Sequence, residues 1–345
     1  MDDALTKSSA KKRNGGEKWA AIIHNPIKID RTIFQNALAA FNKKHGWSDH
    51  RWYTTSVEDP GGEITKKAIE SGASLVIAAG GDGTVRAVAH ALVGSGIPMA
   101  IVPVGTGNLL AINLDIPTDL KQAVEIAFTG DETAIDIGIA EIFNDQKFSV
   151  RDEPFLVMAG IGADAEMIRN TPSGFKKAFG WMGYIFGGLA ALAKQKSFSL
   201  HYELSDGREE FITAHSFLIG NCGRLPAGLE LIPHAAIDDG ILDLVAVSPG
   251  GFFGWARVWS EIVLRRKGKK SSTGVGQKIN TDDGEIRTLR YLRAEGAIIR
   301  TEVPIPVELD GEFFGPAIAL KVDVLPGAVN VRVREKRLSE LETAQ

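Results

Sequence analysis

Leu75-Val76-Ile77-Ala78-Ala79-Gly80-Gly81-Asp82-Gly83-Thr84 is the stretch whose reading decides the fold. Its five leading apolar residues form an unbroken run, the pattern of a strand buried on both faces. The run breaks into glycines, and helical spacing follows over 84–93. Glycines let the backbone approach an anion closely, and the N–H groups of a helix start then point at it. By itself a glycine-rich turn is a weak signal. A second one strengthens it: Pro103-Val104-Gly105-Thr106-Gly107-Asn108 follows the apolar run at 99–102. Much later Leu309-Asp310-Gly311-Glu312 places an acidic turn after an extended segment. Two phosphate loops and a distant carboxylate suggest phosphoryl transfer.

Outward from this stretch, residues 18–140 alternate strand and helix patterns. Strands are expected at 19–23, 50–55, 75–79 and 99–102, and helices at 33–44, 64–71, 84–93 and 120–128. Strands separated by single helices imply crossovers and a mostly parallel sheet. In such sheets ligands sit beyond the carboxyl ends of the strands, where both glycine turns fall. From about residue 133 strands dominate, at 133–139, 155–159, 198–204, 209–219, 242–247 and 297–308, with one helical interlude at 173–194. The predicted fold is an α/β N-terminal domain with a parallel sheet, followed by a mainly antiparallel β-sandwich. Residues 1–17 read as a disordered tail, 18–135 as the nucleotide domain and 136–317 as the β-rich acceptor domain. Late strands at 317–324 and 329–333 are expected to return 318–335 to the first domain.

The 345 residues are enough for two such domains. Apolar content of 44% and charged content of 24% are ordinary globular values, and the net charge of −4 gives no hint of a nucleic-acid partner. The single cysteine, Cys222, excludes an internal disulfide and fits a reducing compartment. It reads as buried and structural. Residues 1–17 lack the apolar core of a secretory signal. The longest charge-free apolar run, 178–193, is interrupted by glycines and shorter than the roughly 20 residues that cross a bilayer. A soluble, cytoplasmic protein that at most rests on a membrane surface is expected.

Several residues could carry chemistry. Asp82 would repel a bare phosphate, so it fits a bridging divalent cation, a ribose hydroxyl, or a plain cap on the helix at 84–93. Arg86, in the first turn of that helix, is either a phosphate contact or a solvated arginine. Thr106 and Asn108 offer a hydroxyl and an amide beside two glycines, a mix that suits a nucleotide or an ordinary turn. Asp238-Asp239-Gly240 is either a turn or a hard-cation site, with Asp239 supplying carboxylate and the turn supplying carbonyl oxygens. Glu312 could accept a proton from an attacking hydroxyl. Arg265-Arg266-Lys267-Gly268-Lys269-Lys270 is either a docking run for anionic lipid or a solvated loop. The aromatic stretch around Phe179, Trp181, Tyr184 and Phe186 reads as core or as an acyl pocket.

Taken in order, these motifs resemble the diacylglycerol kinase catalytic family, the soluble bacterial lipid kinases related to sphingosine and ceramide kinases and, more distantly, NAD kinases. The resemblance runs from Trp19 to about Val333. Its marks are Asn25-Pro26 after the first strand, Thr55 where a threonine contacts nucleotide, the loops Gly80 to Thr84 and Gly105-Thr106-Gly107-Asn108, the strand Ile135-Asp136-Ile137-Gly138, the segment from Pro233 to Asp243, and Leu309 to Glu312. It implies ATP on Asn25, Thr55, Gly80, Gly81, Asp82, Gly83, Thr84, Arg86, Gly105, Thr106 and Asn108. Glu312 is the implied proton acceptor, and Asp82 lies near the ATP phosphates and Mg²⁺. A structural Mg²⁺ is implied on Asp239 and the carbonyls of Ala236 and Ile241, with Asp136 linked through water. This chain departs from the family pattern in three places: Leu109 stands where many bacterial members carry an aspartate, Arg86-Ala87 replaces an Asn-Glu pair, and the opening turn Asn25-Pro26-Ile27-Lys28 lacks its glycine.

The expected activity is ATP-dependent phosphorylation of a hydroxyl on a membrane lipid, in the cleft between the domains. The expected partner is a lipid at a membrane surface, contacted peripherally; a homodimer is compatible with this reading. A soluble-substrate kinase of the NAD-kinase kind and a non-catalytic nucleotide or lipid sensor are the alternatives.

Overall fold

The protein is described by a computed structural model over residues 18–42, 49–144, 149–162, 197–248, 254 and 289–335. The expectations for residues 1–17, the helical interlude at 173–194 with its aromatic residues, and the basic run at 265–270 lie outside the described residues. Four parallel strands, β1 (Trp19–His24), β2 (Asp49–Thr54), β3 (Leu75–Gly80) and β4 (Met99–Pro103), stand side by side in the order β4-β3-β1-β2. Every residue of β1, β3 and β4 is buried, as continuous apolar runs in a helix-covered parallel sheet require. The crossovers are α1 (Arg31–Asn42), α2 (Gly62–Glu70) and α3 (Asp82–Leu92); α4 (Leu109–Asn113) and α5 (Leu120–Thr129) follow β4.

The rest of the described chain is built from strands. In order they are β5 (Asp131–Phe143), β6 (Ser149–Phe155), β7 (Met158–Gly162), β8 (Phe198–Leu204), β9 (Glu209–Ala214), β10 (Ser216–Gly220), β11 (Arg224–Leu225), β12 (Leu229–Glu230), β13 (Leu242–Val247), β14 (Leu289–Ala294), β15 (Gly296–Leu309) and β16 (Glu312–Val333). Among them every pairing is antiparallel, and their inward residues form a second core around Phe155, Phe217, Leu244 and Leu320. Strand β8 shows why: Leu200, Tyr202 and Leu204 alternate inward at the two-residue period of a half-buried strand. The architecture is therefore an α/β domain with a parallel sheet joined to an antiparallel β-sandwich.

Long strands join the two cores. β16 pairs with β15 from Glu312 to Asp323 and with β5 from Ala319 to Val333, and its Val331 lies parallel to Met99 of β4. The sequence pattern reads two strands here because Pro326-Gly327 interrupts the alternation. The structure makes them one strand with an irregularity between Leu325 and Val329. Conversely, the expected strand at 155–159 is two strands. The N–H groups of Leu156 and Val157 turn out of the ladder to a side chain, the Asp310 carboxylate. The expected strand at 209–219 is likewise split at His215, so that β9 pairs with β8 while β10 pairs with β7 and β13. The short α4 and the strand β14 were not expected.

Gly138 of β5 shows how tight the junction is. It lies opposite Phe155 of β6, and a Cβ at Gly138 would sit 2.1 Å from that ring, which is fully buried. Overpacking at such a site costs about 1–3 kcal/mol. Gly138→Ala should therefore lower the thermal unfolding midpoint by several degrees, and an unchanged midpoint would show that the ring is free to move.

Candidate active site

The carboxyl ends of β1 to β4 gather most of the residues that the sequence singles out. Asn25 follows β1, and its Oδ1 accepts the N–H of Ile27 at 3.0 Å, which closes the Asn-Pro turn without a glycine. Thr55 follows β2, is buried, and donates its N–H to the carbonyl of His24 at 3.0 Å. Burial and the nearby Arg31 hold the His24 imidazole below its ordinary value, and Thr54 hydrogen-bonds its Nε2.

The two glycine loops touch. A Cβ at Gly105 would lie 2.6 Å from the Cα of Gly81, and one at Gly107 would lie 2.8 Å from an Asp82 carboxylate oxygen. Gly80 is pressed against the Thr84 side chain in the same way. Asp82 fastens the loops together: its carboxylate accepts the N–H of Asn108 at 3.0 Å and of Leu109 at 2.6 Å. Of the three readings of Asp82, the plain cap on its own helix is not the one that forms. α3 begins at Asp82 with Gly81 in the cap position, and the carboxylate caps α4 instead. Burial raises the Asp82 pKa, opposed by these two N–H groups and by Arg86. Asn108 sits in the left-handed region at φ 50° and closes its own loop, accepting the N–H of Gly105 at 2.8 Å and donating to its carbonyl at 3.0 Å. Thr106 and Gly83 stay exposed at the loop tips.

Across from the loops stands the hairpin of β15 and β16. Leu309 pairs with Glu312, so Asp310-Gly311 is a two-residue turn, with φ of 49° and 83° as the type I′ geometry demands. Asp310 is buried, and its carboxylate accepts three backbone N–H groups, from Leu156 at 2.8 Å, Val157 at 2.9 Å and Met158 at 3.0 Å. Burial lifts its pKa against the pull of those donors and of Arg86. Arg86 is not solvated: it is 8% exposed, donates to the Leu309 carbonyl at 2.9 Å, pairs with Glu312, and lies over the Phe314 ring. The Glu312 side chain is 61% exposed, so the guanidinium presents a carboxylate that solvent and a substrate can reach. Arg86 lies one helical turn beyond Asp82, so the hairpin tip and the glycine loops are held on the same end of α3.

The segment from Pro233 to Asp243 is fastened elsewhere. Asp136 of β5 is buried and accepts the N–H of Gly240 and of Gly327, both at 2.7 Å, while its own N–H donates to the carbonyl of Ile237. Asp239 accepts the N–H of Ile241 at 3.1 Å and pairs with Arg293, which also reaches the buried Asp243 at 3.3 Å. Both oxygens of Asp136 and both of Asp239 therefore already take a donor, and a guanidinium supplies the positive charge. Among the described residues no cluster of three or more His, Cys, Asp or Glu could hold a metal ion. The structural Mg²⁺ implied on Ala236, Asp239, Ile241 and Asp136 thus finds its carboxylates engaged. Burial pushes the Asp243 pKa up, eased by Arg293.

Residues 156–158 and Asn221 are the parts that the sequence reading passed over, and Asp310 enters it as one residue of an acidic turn with no task of its own. Asn221 is fully buried and donates from Nδ2 to the carbonyls of Asp136 and Leu156, both at 2.9 Å, so that it ties β5 to the bend that Asp310 caps. The Asp-Gly pair between extended segments was the available signal for a tight hairpin; nothing local marked Asn221. Cys222 beside it is buried, and burial pushes its thiol pKa up, as a structural cysteine requires.

Residues 20–140 match the diacylglycerol kinase catalytic domain, and residues 156–263 match the YegS C-terminal NAD kinase beta sandwich-like domain. An uncharacterized protein of Synechocystis is 29% identical over 285 residues, 80% of this chain and 60% of that protein. The chain thus spans less than two thirds of this relative's length. The diacylglycerol kinase of Bacillus subtilis is 28% identical over 306 residues, 86% of this chain and 91% of that one. The crystal structure of a diacylglycerol kinase from Bacillus anthracis superposes with a TM-score of 0.62 at 21% identity, covering 93% of this chain and 98% of that one, a likeness of fold.

Two stability measurements check this geometry. Asp310→Asn turns an amide toward three N–H donors and should cost about 1–3 kcal/mol; an unchanged unfolding midpoint would mean that the carboxylate is not the bend's anchor. Dialysis against EDTA should leave the midpoint of the nucleotide-free protein unchanged, whereas Arg293→Met should lower it. A midpoint that falls with EDTA would put a cation where Arg293 stands.

Proposed function

We propose that this chain, which belongs to the family joining a diacylglycerol kinase catalytic domain to a YegS C-terminal NAD kinase beta sandwich-like domain, transfers the γ-phosphate of ATP to a hydroxyl of diacylglycerol or a related lipid. The observation that carries this reading is the approach of Glu312, through Arg86, to the helix that opens at Gly81-Asp82. A base and a phosphate cradle are the two parts that phosphoryl transfer to an alcohol needs from a protein.

In this reading the N–H groups that open α3 from Gly81 to Thr84 and those of Thr106 and Gly107 take the nucleotide phosphates, on loops that Gly80, Gly105 and Asn108 shape, with Asn25 and Thr55 at the neighbouring strand ends contacting the nucleotide. The close contact of Gly81 with Gly105 supports one continuous cradle rather than two separate loops. Glu312 accepts the proton of the lipid hydroxyl as its oxygen attacks the γ-phosphorus; the bond to the β–γ bridging oxygen breaks and ADP leaves. Mg²⁺ carried with the nucleotide supplies positive charge to the phosphoryl oxygens. Asp82, with its carboxylate on the Asn108 and Leu109 N–H groups, shapes the cradle. A lipid acceptor requires a visit to the membrane surface, and no helix among the described residues is long and apolar enough to cross a membrane. The NAD kinase-like character of the second domain favours, as a second reading, phosphorylation of a soluble dinucleotide.

The test is transfer of labelled γ-phosphate from ATP to lipids in mixed micelles, with NAD as soluble acceptor. Label is expected in diacylglycerol or a related lipid. Glu312→Ala should lower turnover by about 10²–10⁴-fold, the usual worth of a general base, without loss of the folded state. Label in NAD alone would establish the second reading, and near-wild-type turnover by Glu312→Ala would remove the base from this role.

A further inference from the structure

The sequence leaves Arg86 between a phosphate contact and a solvated side chain, and the structure shows what that arginine does. Arg86 is buried, and its two terminal nitrogens have separate tasks. Nη1 donates to the carbonyl of Leu309, the last residue before the turn, and Nη2 pairs with Glu312, the first residue after it. The guanidinium also lies 5.1 Å from the centre of the Phe314 ring. Backbone, carboxylate and ring all belong to one hairpin, so the planar fork of Arg86 grips its tip from both strands and from the side. A guanidinium so committed is poorly placed to serve a phosphate as well.

Resting on the reading of Glu312 as the base, we infer that Arg86 is a positioning residue: it fixes the exposed Glu312 carboxylate against α3, with Oε2 held and Oε1 left to the substrate hydroxyl, and is not itself a ligand of the ATP phosphates. An exposed glutamate otherwise samples many rotamers, and its fixation costs side-chain entropy before each encounter. The fork removes that cost in advance, since a charge-assisted pair from a buried arginine is directional. It also locks the hairpin of the sandwich onto the helix of the nucleotide loop, so base and cradle keep a constant separation. Lysine cannot reproduce this, because one ammonium on a flexible stem does not serve the Leu309 carbonyl and the carboxylate with a rigid fork.

The test is a double-mutant cycle on the full chain with Arg86→Gln, Glu312→Gln and both together. If Arg86 acts through Glu312, Arg86→Gln lowers kcat by about a hundredfold, the scale of a misplaced catalytic group, with KM for ATP little changed. The double variant should be no slower than Glu312→Gln alone, and Arg86→Lys should recover only part of the loss. A rise of about tenfold or more in KM for ATP, with losses that multiply in the double variant, would make Arg86 a phosphate ligand and overturn the inference. Thermal unfolding of the same four proteins without substrate reads the pair by itself. A loss in midpoint that does not add between the two sites is expected, and additive losses would contradict the pairing. If no lipid or NAD is phosphorylated, this second cycle still decides the pairing, while the kinase reading fails separately.

Discussion

A buried carboxylate must find donors, and at the tip of the β15–β16 hairpin it finds three backbone N–H groups. Asp310 is held in the left-handed region by the two-residue turn, which points its side chain into the protein rather than into solvent. There it takes the N–H groups of Leu156 and Val157, which lie between β6 and β7, and of Met158 at the start of β7. A buried charge without such partners would cost several kcal/mol, so the hairpin and the bend are fixed together or not at all. Everything proposed for Glu312 depends on this constraint, because Glu312 is two residues away on the same turn.

The same logic runs through the other fastenings. Asp82 joins the first glycine loop to the second, and Asp136 joins β5 to the bulge at Gly327 and to the turn at Gly240. Each is a carboxylate that the sequence offers as a ligand for something outside the protein and that the structure spends on N–H groups within it. In the proposed function, chemistry falls to groups at the exposed ends of these ties: the loop amides beside Gly83 and Thr106, and the carboxylate of Glu312.

Much of the first domain was legible from sequence because its signals are local. Continuous apolar runs mark β1, β3 and β4, and glycines that must touch other backbone mark both loops. The second domain was less legible because its decisive contacts join distant residues. Arg86 and Leu309 are 223 positions apart, and Asp310 and Leu156 are 154 apart. No periodicity announces that a strand will break at residue 156 to serve a carboxylate elsewhere, or that Pro326-Gly327 is a bulge within one strand. For the same reason the sequence leaves Arg86 between a phosphate contact and a solvated side chain, and only the fold shows it buried against the hairpin tip.

The central claim is that the ends of β1 to β4 form one nucleotide cradle. Backbone amide exchange, measured residue by residue with and without ATP and Mg²⁺, tests it most directly. The account predicts that exchange slows together at residues 80–84 and 105–109 and around Asn25 and Thr55, while the β11–β12 hairpin is unaffected. Protection confined to one loop, or absent from both, would contradict it.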